Sequence, residues 1–254
     1  MKVEVHVLFF YETWLSNYII RHYSQFAQRI VVHNAGPNKL IATPDWFSGA
    51  CSTFEDVPWD CPAVNDLKYA ELRNNCWKGT DADWVIVVDA DEFIYFPEGA
   101  EKSLGAYTRM GAAVIRPHGF EMFSETLPTG GGQIYEEIKM GAPDDKWYAK
   151  PVLFNPKLVS DMRFGLGSHE ANPHLHDGRS FHVGPKWPFA KPACNLLHYH
   201  QIGPADWIAE RYDGNIKRMC KENKANHWGN LAPGHIHVQE KRSKILPNLF
   251  RVIP

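Results

Sequence analysis

The sequence predicts an α/β fold around a mostly parallel sheet, and two stretches of the chain carry that expectation. Residues 3–9 form an apolar, valine-rich run, residues 13–28 follow with Trp14, Tyr18, Ile19 and Tyr23 at helical spacing, and residues 29–33 are strand-like again. Strand, helix and strand in about thirty residues imply a parallel βαβ unit, because parallel neighbours need a crossover and a helix usually supplies it. The second stretch is Trp84-Val85-Ile86-Val87-Val88, apolar on both faces and so expected at the centre of a parallel sheet covered on both sides.

The other elements follow in order. Asn34-Ala35-Gly36-Pro37-Asn38 punctuates the chain, and residues 43–62, rich in Pro, Trp, Asp and Ser without a sustained period, are expected to be a loop. Residues 65–78 regain helical character, with Asn65 or Asp66 as the N-cap. Residues 112–116 offer one more short strand. Beyond it Pro128-Thr129-Gly130-Gly131-Gly132, Pro143-Asp144-Asp145 and the stretch 165–192 are loop signals, so the C-terminal half is expected to be loop-rich. Residues 206–222 fit a helix. The end, 240–254, is basic, with Lys241, Arg242, Lys244 and Arg251 among Ile245, Leu246, Leu249, Phe250 and Ile253. No internal repeat or low-complexity tract interrupts what reads as a single domain, 1–254.

Composition narrows the function classes. A chain of 254 residues, 44% apolar and 22% charged, can bury a sizeable core. Its net charge of -2 lacks the general positive field of a nucleic-acid binder. No run of eighteen apolar residues is present, and Met1-Lys2 leads straight into a strand pattern, so a cytoplasmic location is expected. The five cysteines, Cys51, Cys61, Cys76, Cys194 and Cys220, are odd in number and contain no Cys-x-x-Cys, and are expected as reduced thiols. Nine tryptophans suit stacking surfaces for flat ligands such as bases and sugars.

Asp89-Ala90-Asp91-Glu92 carries the chemistry. An apolar strand ending in Asp-x-Asp-Glu sets three carboxylates at the carboxyl edge of a parallel sheet, where open α/β sheets bind ligands. Two aspartates at i, i+2 can bring oxygens to one hard divalent cation, Mg²⁺ or Mn²⁺, with positions left for water and a diphosphate. The plain alternative is a solvated acidic turn.

Glu71-Leu72-Arg73-Asn74-Asn75, followed by the strand from Trp84 into Asp89-Ala90-Asp91-Glu92-Phe93, resembles the Arg-Asn helix and Asp-x-Asp strand of nucleotide-sugar glycosyltransferases with the GT-A fold, nearest to their family 2-like branch. Tyr11-Glu12-Thr13-Trp14-Leu15 and Ile30-Val31-Val32-His33-Asn34 resemble the opening of that branch, and Leu197-His198-Tyr199-His200 its late His-Tyr motif. The resemblance covers about residues 3–96 and the rest in patches. It implies a Rossmann-like GT-A domain with a nucleotide-sugar-binding half at about 1–96, an acceptor and metal-completing half at about 97–239, and the basic tail 240–254. It implies transfer of a sugar from a nucleotide diphosphate donor to an acceptor hydroxyl, on a glycan or similar partner.

On that resemblance Asp89 and Asp91 would meet the donor ribose and the metal, with Asp91 the direct ligand. Phe9, Tyr11 and Asn34 would line the nucleotide base, Arg73 would help hold the diphosphate, and His198, with His200 as its fallback, would complete the coordination of Mn²⁺ or Mg²⁺. Two features depart from the pattern: Gly36-Pro37-Asn38 stands where the family has an acidic Ser-Asp-Asp, and no Glu-Asp pair opens a helix as a catalytic base. Inversion would need such a base. His169 and Glu170, in Gly167-Ser168-His169-Glu170, are the first candidates, then Glu137 and Asp145. Lys150 is expected to neutralise phosphate.

Nine of the thirteen histidines fall between His169 and His237, including His174-Leu175-His176, His198-Tyr199-His200 and His235-Ile236-His237. Pairs at i, i+2 in a strand point to one side, as metal sites often require. A zinc-dependent hydrolase on this half is therefore one alternative, although neither its common His-x-His-x-Asp-His signature nor His-Glu-x-x-His occurs. A non-catalytic carbohydrate-binding protein of the same fold is the other. The basic tail could bring the protein to an anionic membrane surface, while Pro247 interrupts any long amphipathic helix there.

Overall fold

The structure is a computed structural model and describes residues 1–9, 13–34, 53–58, 63–229 and 231–254. The chain opens with β1 (Val3–Phe9), α1 (Ser16–Tyr23), β2 (Arg29–Asn34), β3 (Thr53–Pro58), α2 (Asp66–Asn75), β4 (Trp84–Asp89) and β5 (Glu92–Tyr95). It continues through α3 (Ala100–Arg109), β6 (Val114–Ile115), β7 (His118–Ser124), α4 (Ile134–Glu137), β8 (Met140–Pro143), β9 (Leu153–Phe154), β10 (Val159–Asp161) and β11 (His174–Leu175). The last elements are β12 (Asn195–Ile202), α5 (Ala205–Arg218), α6 (Lys221–Ala225), α7 (Gly234–Ile245) and β13 (Phe250–Arg251).

A six-stranded sheet has the order β3-β2-β1-β4-β9-β6. Its first four strands are mutually parallel, and β9 runs antiparallel between β4 and β6. The expected βαβ unit is therefore present, but the sheet is mixed. The expectation of one central sheet also needs correction, because β13-β8-β7-β12-β5 form a second sheet in which only β7 and β12 pair in parallel.

Side-chain alternation places the cores. Val3, Val5, Val7 and Phe9 of β1, with Trp84, Ile86 and Val88 of β4, pack against Leu15, Ile19, Ile20 and Tyr23 of the first helical segment. Leu8, Val85 and Val87 point the other way, onto Trp77, Phe154 and Phe164. β4 is thus buried on both faces, as its unbroken apolar run requires. The main core extends through Phe93, Leu197 and Tyr199, which joins the two sheets.

Four expectations of local structure change. The helix expected over 13–28 is a 3₁₀ turn, Thr13–Leu15, followed by α1 and a turn, because Gln28 already donates its N–H to the Val3 carbonyl at 2.9 Å to start the strand pairing. Within the expected loop 43–62, residues 53–58 form the edge strand β3. Its Glu55 accepts two bonds from Arg29 on β2, and its acidic and proline residues, apt for an edge, hide it from a search for apolar alternation. The helix expected over 206–222 ends at Arg218, and α6 restarts with Cys220 as its cap. The loop-rich half contains α3, the second sheet and α7, although 165–192 is largely irregular. Asn65 is the N-cap of α2, its side chain accepting from the N–H groups of Leu67 and Lys68 at 3.1 Å.

The basic end belongs to the fold. α7 carries its first half, β13 pairs with β8, and Ile245 and Ile253 are buried, while Leu246 and Phe250 are exposed. No helix among the described residues is long and apolar enough to cross a membrane. Cys76, Cys194 and Cys220 are free thiols.

Candidate functional site

Three strands bring the acidic turn to its partners. β4 ends at Asp89, the chain turns through Ala90 and Asp91, and Glu92 opens β5. β5 pairs antiparallel with β12 so that Glu92 lies opposite His198, and β12 pairs with β7 so that His198 lies opposite Glu121. The Tyr199 N–H donates to the Asp91 carbonyl at 2.8 Å and fixes the turn against β12.

Asp91 is the centre of a buried carboxylate and imidazole group. Its Oδ2 lies 2.9 Å from Nδ1 of His200 and 3.5 Å from Nε2 of His198, and the ligating atoms of these three residues all fall within 4.8 Å of one another. Nδ1 of His198 lies 2.8 Å from Oε1 of Glu121, whose other oxygen is 3.7 Å from Lys241. The His198 ring stacks on Tyr148 at 4.0 Å and the His200 ring on Tyr212 at 4.8 Å, so packing limits both imidazoles. Among the described residues the buried Nε2 of His200 has no hydrogen-bond partner.

Asp89 belongs to a neighbouring, oppositely charged group. Arg73 of α2 donates to its Oδ1, and Lys150 lies 3.7 Å from Oδ2 and 2.5 Å from Oε1 of Glu92. The other Glu92 oxygen accepts the Asp89 N–H at 3.1 Å. Arg73, Lys150 and Glu92 are buried, while the Asp89 side chain is 30% exposed and so is the open member of the group. Gly119 on β7 permits this arrangement. A Cβ there would fall 2.4 Å from the Tyr148 carbonyl carbon and 2.5 Å from the Ala149 nitrogen, so only glycine lets the segment leading to Lys150 cross the strand.

Charge follows from these neighbours. Burial disfavours an ionised Asp91, but His198, His200 and Arg211 outweigh it and hold the carboxyl well below the usual range. Burial likewise opposes ionised Asp89, yet Arg73 and Lys150 keep it low. Burial pushes Glu92 up, with Lys150 offsetting part of the shift. For His198 burial works against the imidazolium, and Glu121 with Asp91 overcomes it, pushing the ring up to about 9. Burial also opposes charge on Lys150, which Glu92 and Asp89 keep protonated.

The remaining expected site residues are scattered more widely. Phe9 and Asn34 are register partners at the carboxyl ends of β1 and β2, beside Leu8, which pairs with Asp89. Both are buried, the Phe9 ring wholly within the main core, where it packs. Tyr11 and Gly36-Pro37-Asn38 lie outside the described residues. Nδ1 of His169 lies 2.7 Å from the Trp147 carbonyl, and burial, followed by the field of Lys150, holds the ring down to about 4. His169 is thus neutral, with Nδ1–H donating and Nε2 carrying the lone pair, within electrostatic reach of Asp89 and Arg73. Glu170 is exposed and approaches His182 at 3.8 Å instead. Glu137 is held by Tyr18 and Thr129, and Asp145 by the Gly119 N–H. His174 bonds Ser180 and His176 the Pro156 carbonyl, so of the three histidine pairs His198 and His200 are the pair that joins the carboxylates.

Glu121 is the residue that sequence reading missed. No motif marks it, since its link to His198 spans 77 residues of chain.

No family model matches the chain, and no curated protein sequence matches it. Among solved structures it is similar to the crystal structure of S. aureus TarS residues 1–349, at 10% identity and a TM-score of 0.45, over 94% of this chain and 69% of that one.

Proposed function

We propose that the protein transfers a sugar from a nucleotide diphosphate donor to an acceptor hydroxyl, with a divalent cation bound at Asp91, His198 and His200. The observation that carries this reading is the pairing of two groups at the carboxyl edge of the parallel strands: a buried carboxylate and imidazole set fit for a cation, and beside it Asp89 between Arg73 and Lys150. A diphosphate needs a cation to offset its charge, and this edge sets the cation group beside the open carboxylate of Asp89.

The donor set fits a cation on two counts. The ligating atoms converge within 4.8 Å, and Nε2 of His200 is a buried nitrogen with no partner among the described residues. Two imidazoles and one carboxylate suit Mn²⁺ better than Mg²⁺, which prefers oxygen ligands throughout. When bound, such a cation offsets the charge that grows on the departing diphosphate. Glu121 accepts from Nδ1 of His198 and so turns Nε2 toward Asp91, as a carboxylate behind a ligating histidine commonly does. Arg73 and Lys150 hold Asp89 ionised at the open edge, positioned to accept from a sugar or ribose hydroxyl. Neutral His169 takes the acceptor proton at Nε2 while its Nδ1–H stays tied to the Trp147 carbonyl.

The same two-imidazole, one-carboxylate set also suits a zinc-bound water, which keeps a hydrolase as the second reading. A screen of nucleotide sugars with Mn²⁺ or Zn²⁺ separates the two. The transferase reading expects release of nucleoside diphosphate from one class of donor, dependent on Mn²⁺ and abolished in Asp91→Asn. Failure of every nucleotide sugar to bind, with turnover of simple esters in Zn²⁺, contradicts it.

A further inference from the structure

A second cluster lies on the other face of the first sheet, beneath α2. Glu4 and His6 of β1 point away from the main core, His33 of β2 faces the same side, and Cys76 sits at the C-cap of α2. His6, His33 and Glu4 are buried and Cys76 is half-buried. Leu8, Val85, Val87 and Trp77 are the apolar neighbours on this face.

The geometry is that of converging ligands. Nδ1 of His6 lies 3.0 Å from Nε2 of His33, and the ligating atoms of His6, His33 and Cys76 all fall within 4.8 Å of one another. Nε2 of His6 lies 2.8 Å from Oε1 of Glu4, and Glu4 is itself held by Arg29 and by the Thr80 hydroxyl, each at 3.0 Å. An ionised carboxylate only accepts, so His6 carries its proton on Nε2 and presents a lone pair at Nδ1. A carboxylate bound to the far nitrogen of a histidine is the usual support of a metal ligand. Arg29 also bonds Glu55, so two carboxylates share one guanidinium and the pocket retains negative charge for a cation to balance.

We infer that His6, His33 and Cys76 form a binding site for Zn²⁺, distinct from the Asp91 group, that ties β1, β2 and the end of α2 together. Two imidazole nitrogens and one sulfur are a borderline-soft set that selects zinc over Mg²⁺ or Mn²⁺, and they leave one tetrahedral position for water. On binding, the Cys76 S–H bond breaks, its proton goes to solvent and the sulfur bonds the metal. His33 moves its proton from Nε2 to Nδ1 and remains neutral. No atom changes oxidation state.

The experiment uses the full chain carrying Asp91→Ala, stripped with chelator and titrated with Co²⁺ as a spectroscopic stand-in for Zn²⁺. One equivalent of Co²⁺ should give a thiolate-to-cobalt charge-transfer band in the near ultraviolet, and Cys76→Ser in the same background should abolish it. Absence of the band, or its survival in Cys76→Ser, overturns the assignment. A measurement without substitutions guards against misfolding of the variant: Zn²⁺ should slow alkylation of Cys76, read by peptide mass spectrometry, at least about tenfold. Equal alkylation rates with and without Zn²⁺ would overturn the site independently.

Discussion

Replacing Lys150 by methionine probes how the acidic turn is held. Lys150 lies 2.5 Å from Oε1 of Glu92 and 3.7 Å from Oδ2 of Asp89, and both Lys150 and Glu92 are buried. At an effective dielectric of about 20, the shorter pair alone represents about 7 kcal/mol of attraction. Water entry and protonation of Glu92 recover part of that in the variant, which leaves a net loss of about 3–5 kcal/mol near neutral pH, the usual result of stranding one member of a buried pair. The sign with pH follows from Glu92, whose carboxyl burial already pushes up and which loses its offsetting cation. A carboxyl raised in the folded state is penalised when ionised. The variant's deficit should therefore be constant above the raised folded value, shrink as pH falls through it, and vanish near pH 4, where the unfolded chain also protonates. Urea denaturation of wild type, Lys150→Met and Lys150→Met/Glu92→Gln at several pH values measures this. The double variant should regain most of the loss, because the amide oxygen introduced by Glu92→Gln still accepts the Asp89 N–H without a charge. A single variant within about 1 kcal/mol of wild type, or a double variant no better than the single, would refute the reasoning.

Three further outcomes follow from the same geometry. Burial holds His22 down to about 4 while its Nε2–H bonds the Ile94 carbonyl, so its contribution is present above pH 6.5 and lost as pH falls toward 4, by about 3 kcal/mol. His22→Gln keeps a donor but not the titration and should flatten that part of the stability profile, whereas equal slopes would contradict the assignment. Glu121→Gln should weaken Mn²⁺ binding about 10–100-fold by calorimetry without unfolding the chain, since it loosens the orientation of His198. Gly119→Ala should destabilise by about 1–3 kcal/mol in denaturant, because its Cβ collides with the backbone at Tyr148 and Ala149, and a neutral effect would show that this segment can move away.

The parts of the fold that sequence reveals are those where one period dominates. β4 is apolar on both faces, and β1 and β2 are apolar runs broken by Glu4, His6 and His33, which still marks all three as parallel and central. β7 and β12 carry His118, Glu121, His198 and His200 at positions that a hydrophobic pattern would fill, so the second sheet loses its signature where it builds the site. β5 has four residues directly after the acidic turn and reads as its continuation. The same contrast holds among site residues. Asp89 and Asp91 stand at the end of an unmistakable strand and His198 in a short motif, while Glu121 reaches His198 only through β7–β12 pairing. Lys150 and Glu92 are far apart in sequence, and nothing local shows that the lysine, expected against phosphate, is already the counter-ion of a buried glutamate. His6 and His33 each look like a polar interruption of an apolar strand, and register alone brings their nitrogens together.

Isothermal titration of a nucleoside diphosphate into the full chain, with Mn²⁺ and then with EDTA, tests most directly whether the Asp91 group binds a cation on which a donor diphosphate depends. Binding should require Mn²⁺ in wild type and be lost in Asp91→Asn, a variant that removes one charge while keeping the side-chain shape. Equal affinity in Mn²⁺ and EDTA, or undiminished Mn²⁺-dependent binding to Asp91→Asn, would contradict it.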